Sequence, residues 1–254
     1  KSKNDKIDSK KIATLLRGGN IPMAYVYPRK MRSTRDLLRR RNHLMRKRSE
    51  LLAHIQNTNS QYNLPEFGRK LAYKANRDGV AEHFPDPSVR KSIEVDLKLL
   101  DFYDQLLSNL ELYIVKKANA DDVYSWYRLR SIPGVGKILG LVLLYEIHDI
   151  NRFPTVQDFV SYCRLVKCPR ESAGKKFGTK NSKIGNGHLK WAFSEAACLF
   201  LRGNEQAQHY HARLASKYGK GKALSILAHK IGRAVYFMLK RKEPFSMNVF
   251  FNQT

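Results

Sequence analysis

The sequence predicts a mainly helical protein. Apolar residues recur at three- and four-residue spacing in two long stretches, an apolar helix-length segment follows a glycine turn, and no run of alternating strand type occurs. Residues 1–20 read as the start of a helix: Ile7, Ile12 and Leu15-Leu16 make an apolar stripe, and Gly18-Gly19 stops it. Residues 21–28, bounded by Pro22 and Pro28, read as extended. A long helix follows over 31–60, where Leu37, Leu44 and Leu51, and likewise Leu38, Met45 and Leu52, repeat at heptad spacing. Its other face is basic, with Arg32, Arg35, Arg39, Arg40, Arg41, Arg46, Lys47 and Arg48. Residues 62–90 read as a connector with some helix. A second heptad-like helix covers 93–117 through Ile93, Leu97, Leu100, Tyr103, Leu107, Leu110 and Ile114. The pair suggests an antiparallel coiled-coil hairpin, and the same pattern would serve a partner chain.

The character changes near Asp121. A further helix leads to Ile132-Pro133-Gly134-Val135-Gly136, and helices are expected over 137–148, 152–164, 188–202 and 221–241, with a glycine- and lysine-rich loop over 165–187. This divides the chain into 1–30, a coiled-coil region 31–120, a helical domain 121–243 and a tail 244–254.

Composition narrows the partners. The 254 residues hold 47 Lys and Arg against 22 Asp and Glu, a formal charge of +25, which no core requires and which points to a polyanion. At 43% hydrophobic the chain still buries a core, so it is not a disordered basic tail. The longest apolar run, Ile138–Tyr145, is far short of the ~20 residues that span a bilayer, and no signal peptide is visible. Cys163, Cys168 and Cys198 lack the spacing of a disulfide framework or a zinc site. These features read as a soluble protein of a reducing cytoplasm. The chain opens at Lys1 rather than Met, and the N-terminal part of a longer protein is expected to be missing.

Several segments could carry chemistry. The turn through Gly134, Gly136 and Lys137 has the form of a helix-hairpin-helix turn, whose backbone N–H groups can meet a phosphate; an ordinary packed helix-helix turn fits equally. Lys137 is followed by Ile138, so it is not a P-loop. Asp5 and Asp8 share one helix face, where carboxylates can hold a divalent ion or simply serve the helix N-terminus. In the segment Arg164–Lys190, Ser172 sits beside small residues, and Arg170, Lys175, Lys176, Lys183, Asn186 and Lys190 could surround a phosphate. His188 lies close by, without a Ser-His-Asp order. From these residues alone, a phosphate-binding loop and a nucleophilic serine both stand. The tail through Lys220, Lys222, Lys230, Arg233, Lys240, Arg241 and Lys242 reads as a core-packed helix with a basic outer face, suited to a nucleic-acid backbone.

Taken in order, these pieces resemble the insertion-sequence-110 type of transposase, the 116/110/902 family, related to Piv-type DNA invertases. The matching residues are Lys3-Asn4-Asp5-Lys6-Ile7-Asp8, Ser131–Gly136, Arg152-Phe153, Phe159, Glu171-Ser172 with Gly174, Ser182–Asn186 with Leu189-Lys190, and Gly219–Lys222. The resemblance implies the C-terminal remnant of a RuvC-like, ribonuclease-H-type domain, a coiled coil, and a helical domain with a catalytic serine at Ser172. It implies Asp5 and Asp8 as two members of an acidic tetrad holding Mg²⁺ or Mn²⁺. It further implies DNA as substrate, a structured guide RNA in some members, and a place at the bacterial or archaeal nucleoid; the coiled-coil helices suit a dimer or tetramer. Two departures matter. The serine is followed by Ala173 before Gly174, and the first two acids of the tetrad would lie upstream of Lys1, so the chain alone is expected to bind DNA without cleaving it. A non-catalytic helix-hairpin-helix DNA- or RNA-binding protein, or an inactive transposase fragment, is the rival reading. It explains the charge and the Gly134–Gly136 turn, but not Ser172 together with Asp5 and Asp8.

Overall fold

The computed structural model describes residues 4–21, 23–166, 168–172, 175–180 and 185–252, with the backbone alone for 168–172 and 176–180. It is mainly helical. The helices are α1 (Asp5–Arg17), α2 (Arg29–Gln61), α3 (Pro87–Arg130), α4 (Lys137–Ile147), α5 (Val156–Tyr162), α6 (Gly187–Phe200), α7 (Glu205–Tyr218), α8 (Lys220–Arg241) and α9 (Met247–Asn252). Between α5 and α6 lies an antiparallel pair of strands, β1 (Cys168–Ser172) and β2 (Lys175–Lys180). Within the expected loop over 165–187, the described residues 168–172 and 175–180 are therefore corrected to paired strands. The glycines and lysines of this segment hide the pairing, because backbone hydrogen bonds between neighbouring strands need no apolar alternation.

α2 and α3 run antiparallel within the chain. Lys30 pairs with Asp121, Arg41 with Glu111, Arg48 with Asp104 and His54 with Asp96, so partners descend along α3 as they climb α2. The buried seam of α2 runs through Thr34, Leu38, Arg41, Ile55 and Asn59, not along Leu37, Leu44 and Leu51. Arg41 and Arg48 thus leave the basic face and turn inward, since each finds a carboxylate across the seam and a buried charge is tolerable only when paired. α3 runs on past 117 to Arg130, broken at Asp122 (φ −161°, ψ 79°). The Asp122 carboxylate accepts from the Ser125 N–H at 3.0 Å, capping the helical run that follows.

Two cores result. A small one at the far end of α2 and α3 gathers Ile55, Leu71, Phe84, Ile93 and Leu100 under the connector. Arg77, 6% exposed, supports the connector by donating to the Leu71 and Ala72 carbonyls and pairing with Asp101 and Asp104. The main core is built on α4, buried from Leu139 to Ile147 and packed on α2, α3 and α6, with residues of α5 and α8 in the same cluster. Full burial of each such Leu, Ile or Phe contributes about 1.5–3 kcal/mol, which explains why the most apolar helix lies at the centre. α7, which its polar sequence does not announce, buries only Ala207. By contrast α1 buries no residue, and Ile7, Ile12, Leu15 and Leu16 are exposed. Among the described residues no helix is long and apolar enough to cross a membrane.

Candidate functional site

Ser172 is the last residue of β1, and its Cα is registered against that of Lys175 at the start of β2. Arg170 lies on β1 and Lys176 on β2, opposite Glu171. Lys183 lies outside the described residues. The hairpin leaves the helical body after α5 and returns to it at α6, and the two ends are joined by one short bond: the Asn186 N–H donates to the Tyr162 carbonyl at 2.7 Å. Gly185 makes this approach feasible. Its φ is +91°, and a Cβ there would stand 2.6 Å from the Tyr162 oxygen.

Beneath that closure lies a buried polar network. Glu146, the single acid of α4, is 1% exposed. Arg39 of α2 grips it with two parallel bonds, Nε to Oε1 at 2.6 Å and Nη2 to Oε2 at 2.7 Å. Asn186 completes the set, its Nδ2 donating to Glu146 Oε2 at 2.7 Å. The other end of the same amide, Oδ1, accepts from the His188 and Leu189 N–H groups and caps α6. Three helices are thereby tied to one carboxylate. Such forked, charge-assisted bonds are stronger than neutral ones and fix geometry as well. Hydrogen bonding to Glu146 holds the Arg39 guanidinium above its ordinary pKa.

A second layer surrounds Arg152. Its guanidinium carbon lies 4.3 Å from the Tyr25 ring centre, 4.5 Å from Phe153 and 4.7 Å from Tyr162. Nη2 donates to the Tyr27 hydroxyl at 3.1 Å, which itself donates to the Glu146 carbonyl at 2.6 Å. Burial pushes the Tyr162 phenol up, but hydrogen bonds with Arg152 and Asn186 outweigh it and leave the group below its usual range. Tyr27 moves the other way: burial, then Tyr162, raise it to about 12.

The expected phosphate contacts separate on this geometry. Asn186 is 7% exposed and both ends of its amide are engaged within the chain. Lys175 is exposed and Lys190 half-buried. Gly134 is used for packing: with φ +82°, its Cβ would lie 2.6 Å from the Leu199 carbonyl carbon of α6. Gly136 faces open space at the start of α4, and Lys137 pairs with Glu111 at 3.7 Å. At the foot of the hairpin burial lowers the His188 pKa, and Arg39, Arg46 and Arg35 of α2 act on it in the same direction. Arg32, Arg40 and Arg46 are exposed and form no ion pair among the described residues.

Asp5 and Asp8 occupy the first turn of α1, and Asn4 caps it, its side chain accepting from the Lys6 N–H. Among the described residues no group of three or more His, Cys, Asp or Glu forms a metal-ligand cluster. A hard divalent cation takes six or more oxygen ligands, with waters filling what carboxylates do not. Asp5, exposed, and Asp8, half-buried, could supply two of those oxygens.

Sequence reasoning missed Glu146, Arg39, Tyr27, Arg152 and Tyr162 as one unit. One signal was available: a lone glutamate in the otherwise apolar run Lys137–Ile147 has to find a cation.

Comparison with known proteins follows the same segment. Residues 127–212 match the family described as Transposase IS116/IS110/IS902. The transposase for insertion sequence element IS1111A of Coxiella burnetii (strain RSA 493 / Nine Mile phase I) is 25% identical over 260 aligned positions, spanning 96% of this chain and 68% of that protein.

Proposed function

We propose that the chain is a transposase of the IS116/IS110/IS902 type, which it resembles over residues 127–212 and in a 25% identical relative, and that it cuts and rejoins DNA with Ser172 as nucleophile. The observation that carries this reading is the Ser172 hairpin itself: a serine at a strand end, held at its base by the Tyr162–Asn186 closure over the Glu146 network.

In this reading Ser172 Oγ attacks a backbone phosphorus. A P–O bond to serine forms, the bond to one deoxyribose oxygen breaks, and that oxygen leaves as a hydroxyl while the serine gives up its proton. The phosphoserine ester conserves the bond, and a hydroxyl from another strand attacks the same phosphorus to release Ser172. Arg170, Lys175, Lys176 and Lys183 balance the phosphate charge, and Lys190 supports them. The exposed Arg32, Arg40 and Arg46 hold the DNA backbone, which carries no sequence information; a structured guide RNA is the partner that would add it. Asp5 and Asp8 would supply two oxygens to Mg²⁺ or Mn²⁺, with the remaining ligands drawn from outside this helix turn. Residues 1–30 as a RuvC-like remnant, 31–120 as a coiled coil and 121–243 as the serine domain complete the proposal, together with a dimer or tetramer acting at the nucleoid.

The test compares wild-type protein with Ser172→Ala on plasmids bearing its element. Recombinant junctions and covalent protein–DNA adducts should fall by about 100-fold or more, while DNA affinity stays within about twofold. Recombination that persists in Ser172→Ala overturns the serine assignment.

A further inference from the structure

A second feature lies away from the hairpin, where α7, α8 and α9 meet. There the chain forms a half-open cavity of about 370 Å³ whose lining joins cations to aromatic rings. Ile226, Lys230, Arg233, Phe237 and Arg241 follow one another along a single face of α8 at three- and four-residue spacing. Tyr210 of α7 and Phe250 of α9 close the other side.

Two of the cations, Lys230 and Arg241, lie against aromatic rings. Lys230 Nζ lies 5.1 Å from the Tyr210 ring centre and 5.3 Å from that of Phe250. The Arg241 guanidinium carbon lies 5.2 Å from the Phe237 ring centre. Lys230, Arg233 and Arg241 form no ion pair among the described residues, and Glu243 is the single acid of the lining. Burial, with Arg213 nearby, pulls the Lys230 ammonium below its ordinary range. A solvated basic face would not bury its lysine against two rings. An anion would relieve this charge, and the apolar wall would accept a flat ring beside it. The volume sits at the low end of small-ligand sites, about 300–1,000 Å³, which suits one nucleotide rather than a duplex.

We propose that this cavity binds one unpaired nucleotide of a nucleic-acid strand, its phosphate on Lys230, Arg233 and Arg241 and its base against the wall of Phe237 and Val249. The proposal rests on the nucleic-acid-acting reading above, and it adds a site for single-stranded segments apart from the Ser172 hairpin. The shared chemistry is the nucleoside phosphate, which unpaired DNA and unpaired RNA both present.

The experiment measures fluorescence anisotropy of labelled oligothymidylate, oligouridylate and a DNA duplex of the same length. Wild type is compared with Lys230→Gln/Arg233→Gln, and with Arg40→Gln/Arg46→Gln as an equal charge change on α2. The cavity variant should weaken single-strand binding by about tenfold or more and duplex binding by less than about threefold, with a shallower salt slope for the single strand, by about 0.7 for each phosphate no longer neutralised. The α2 variant should weaken both alike. A larger loss on oligothymidylate assigns the cavity to DNA, and on oligouridylate to RNA. Should the double variant misfold, Arg241→Gln at the exposed rim gives the same selective loss at about threefold. Unchanged single-strand binding, or an equal loss on duplex, overturns the proposal. Wild-type protein that binds the duplex with no added affinity for single strands overturns the cavity alone, and wild-type protein that binds neither overturns the DNA-acting reading as well.

Discussion

The Asn186 amide nitrogen stands 2.7 Å from Glu146 Oε2, while its oxygen caps α6 through the His188 and Leu189 N–H groups. One side chain therefore starts the helix after the hairpin and anchors that start to the carboxylate of α4. Asn186→Asp keeps the cap but turns a donor into an acceptor facing Glu146. It should cost about 2 kcal/mol near neutral pH. The folded state would hold the new carboxyl above its usual range, so the penalty should shrink as pH falls through that raised value. Urea denaturation of variant and wild type at about pH 7.5 and pH 5 checks this, by the difference between the two proteins at each pH.

Glu146→Ala should be among the most damaging single changes. It leaves the Arg39 guanidinium and the Asn186 amide facing an apolar interior. Breaking a buried pair costs about 3–5 kcal/mol, and the partial exposure of Arg39 reduces this to about 2–4 kcal/mol. Chemical denaturation gives the number. In the recombination assay, Glu146→Gln, which keeps the shape and one acceptor, should retain more activity than Glu146→Ala.

Gly134 and Gly136 should respond in opposite ways, although the sequence presents them as one motif. Gly134→Ala forces a Cβ into the α6 backbone at a positive φ and should cost about 2–4 kcal/mol. Gly136→Ala enters open space at an ordinary φ of −76° and should stay within about 0.5 kcal/mol. Melting temperatures of the two variants measure the contrast.

Burial lowers the His188 pKa, and Arg39, Arg46 and Arg35 add to this against the pull of Glu146. The unfolded chain binds its proton from about pH 6.5 downward, before the folded one does, so stability is full above that value and is lost as pH falls below it. His148 and His229 shift in the same direction through burial. The fall in Tm between about pH 7.5 and pH 5.5 should be smaller in His188→Gln than in wild type.

Affinity for duplex DNA should depend steeply on salt. With six or more phosphates neutralised, binding should drop about a thousandfold or more between about 50 and 200 mM monovalent salt. A slope of log affinity on log salt shallower than about −4 would mean that the net charge of +25 does not meet a backbone.

The sequence by itself determined the helices with strong periodicity, the excess of positive charge, and the order of motifs that leads to Ser172. These are local or additive properties: helical spacing repeats within a turn or two, and charge is a sum. It did not reveal α7, whose face is polar apart from Ala207, or the β1–β2 pairing, which rests on backbone bonds. Nor did it show that Arg39, Arg41 and Arg48 leave the basic face to meet Glu146, Glu111 and Asp104. That choice belongs to tertiary structure, because a cation turns inward only where packing delivers a carboxylate from a distant part of the chain. The same holds for Asn186, which reads as a phosphate contact in its glycine-rich surroundings. Its neighbours in space, Glu146 and Tyr162, make it the anchor of the hairpin that carries Ser172.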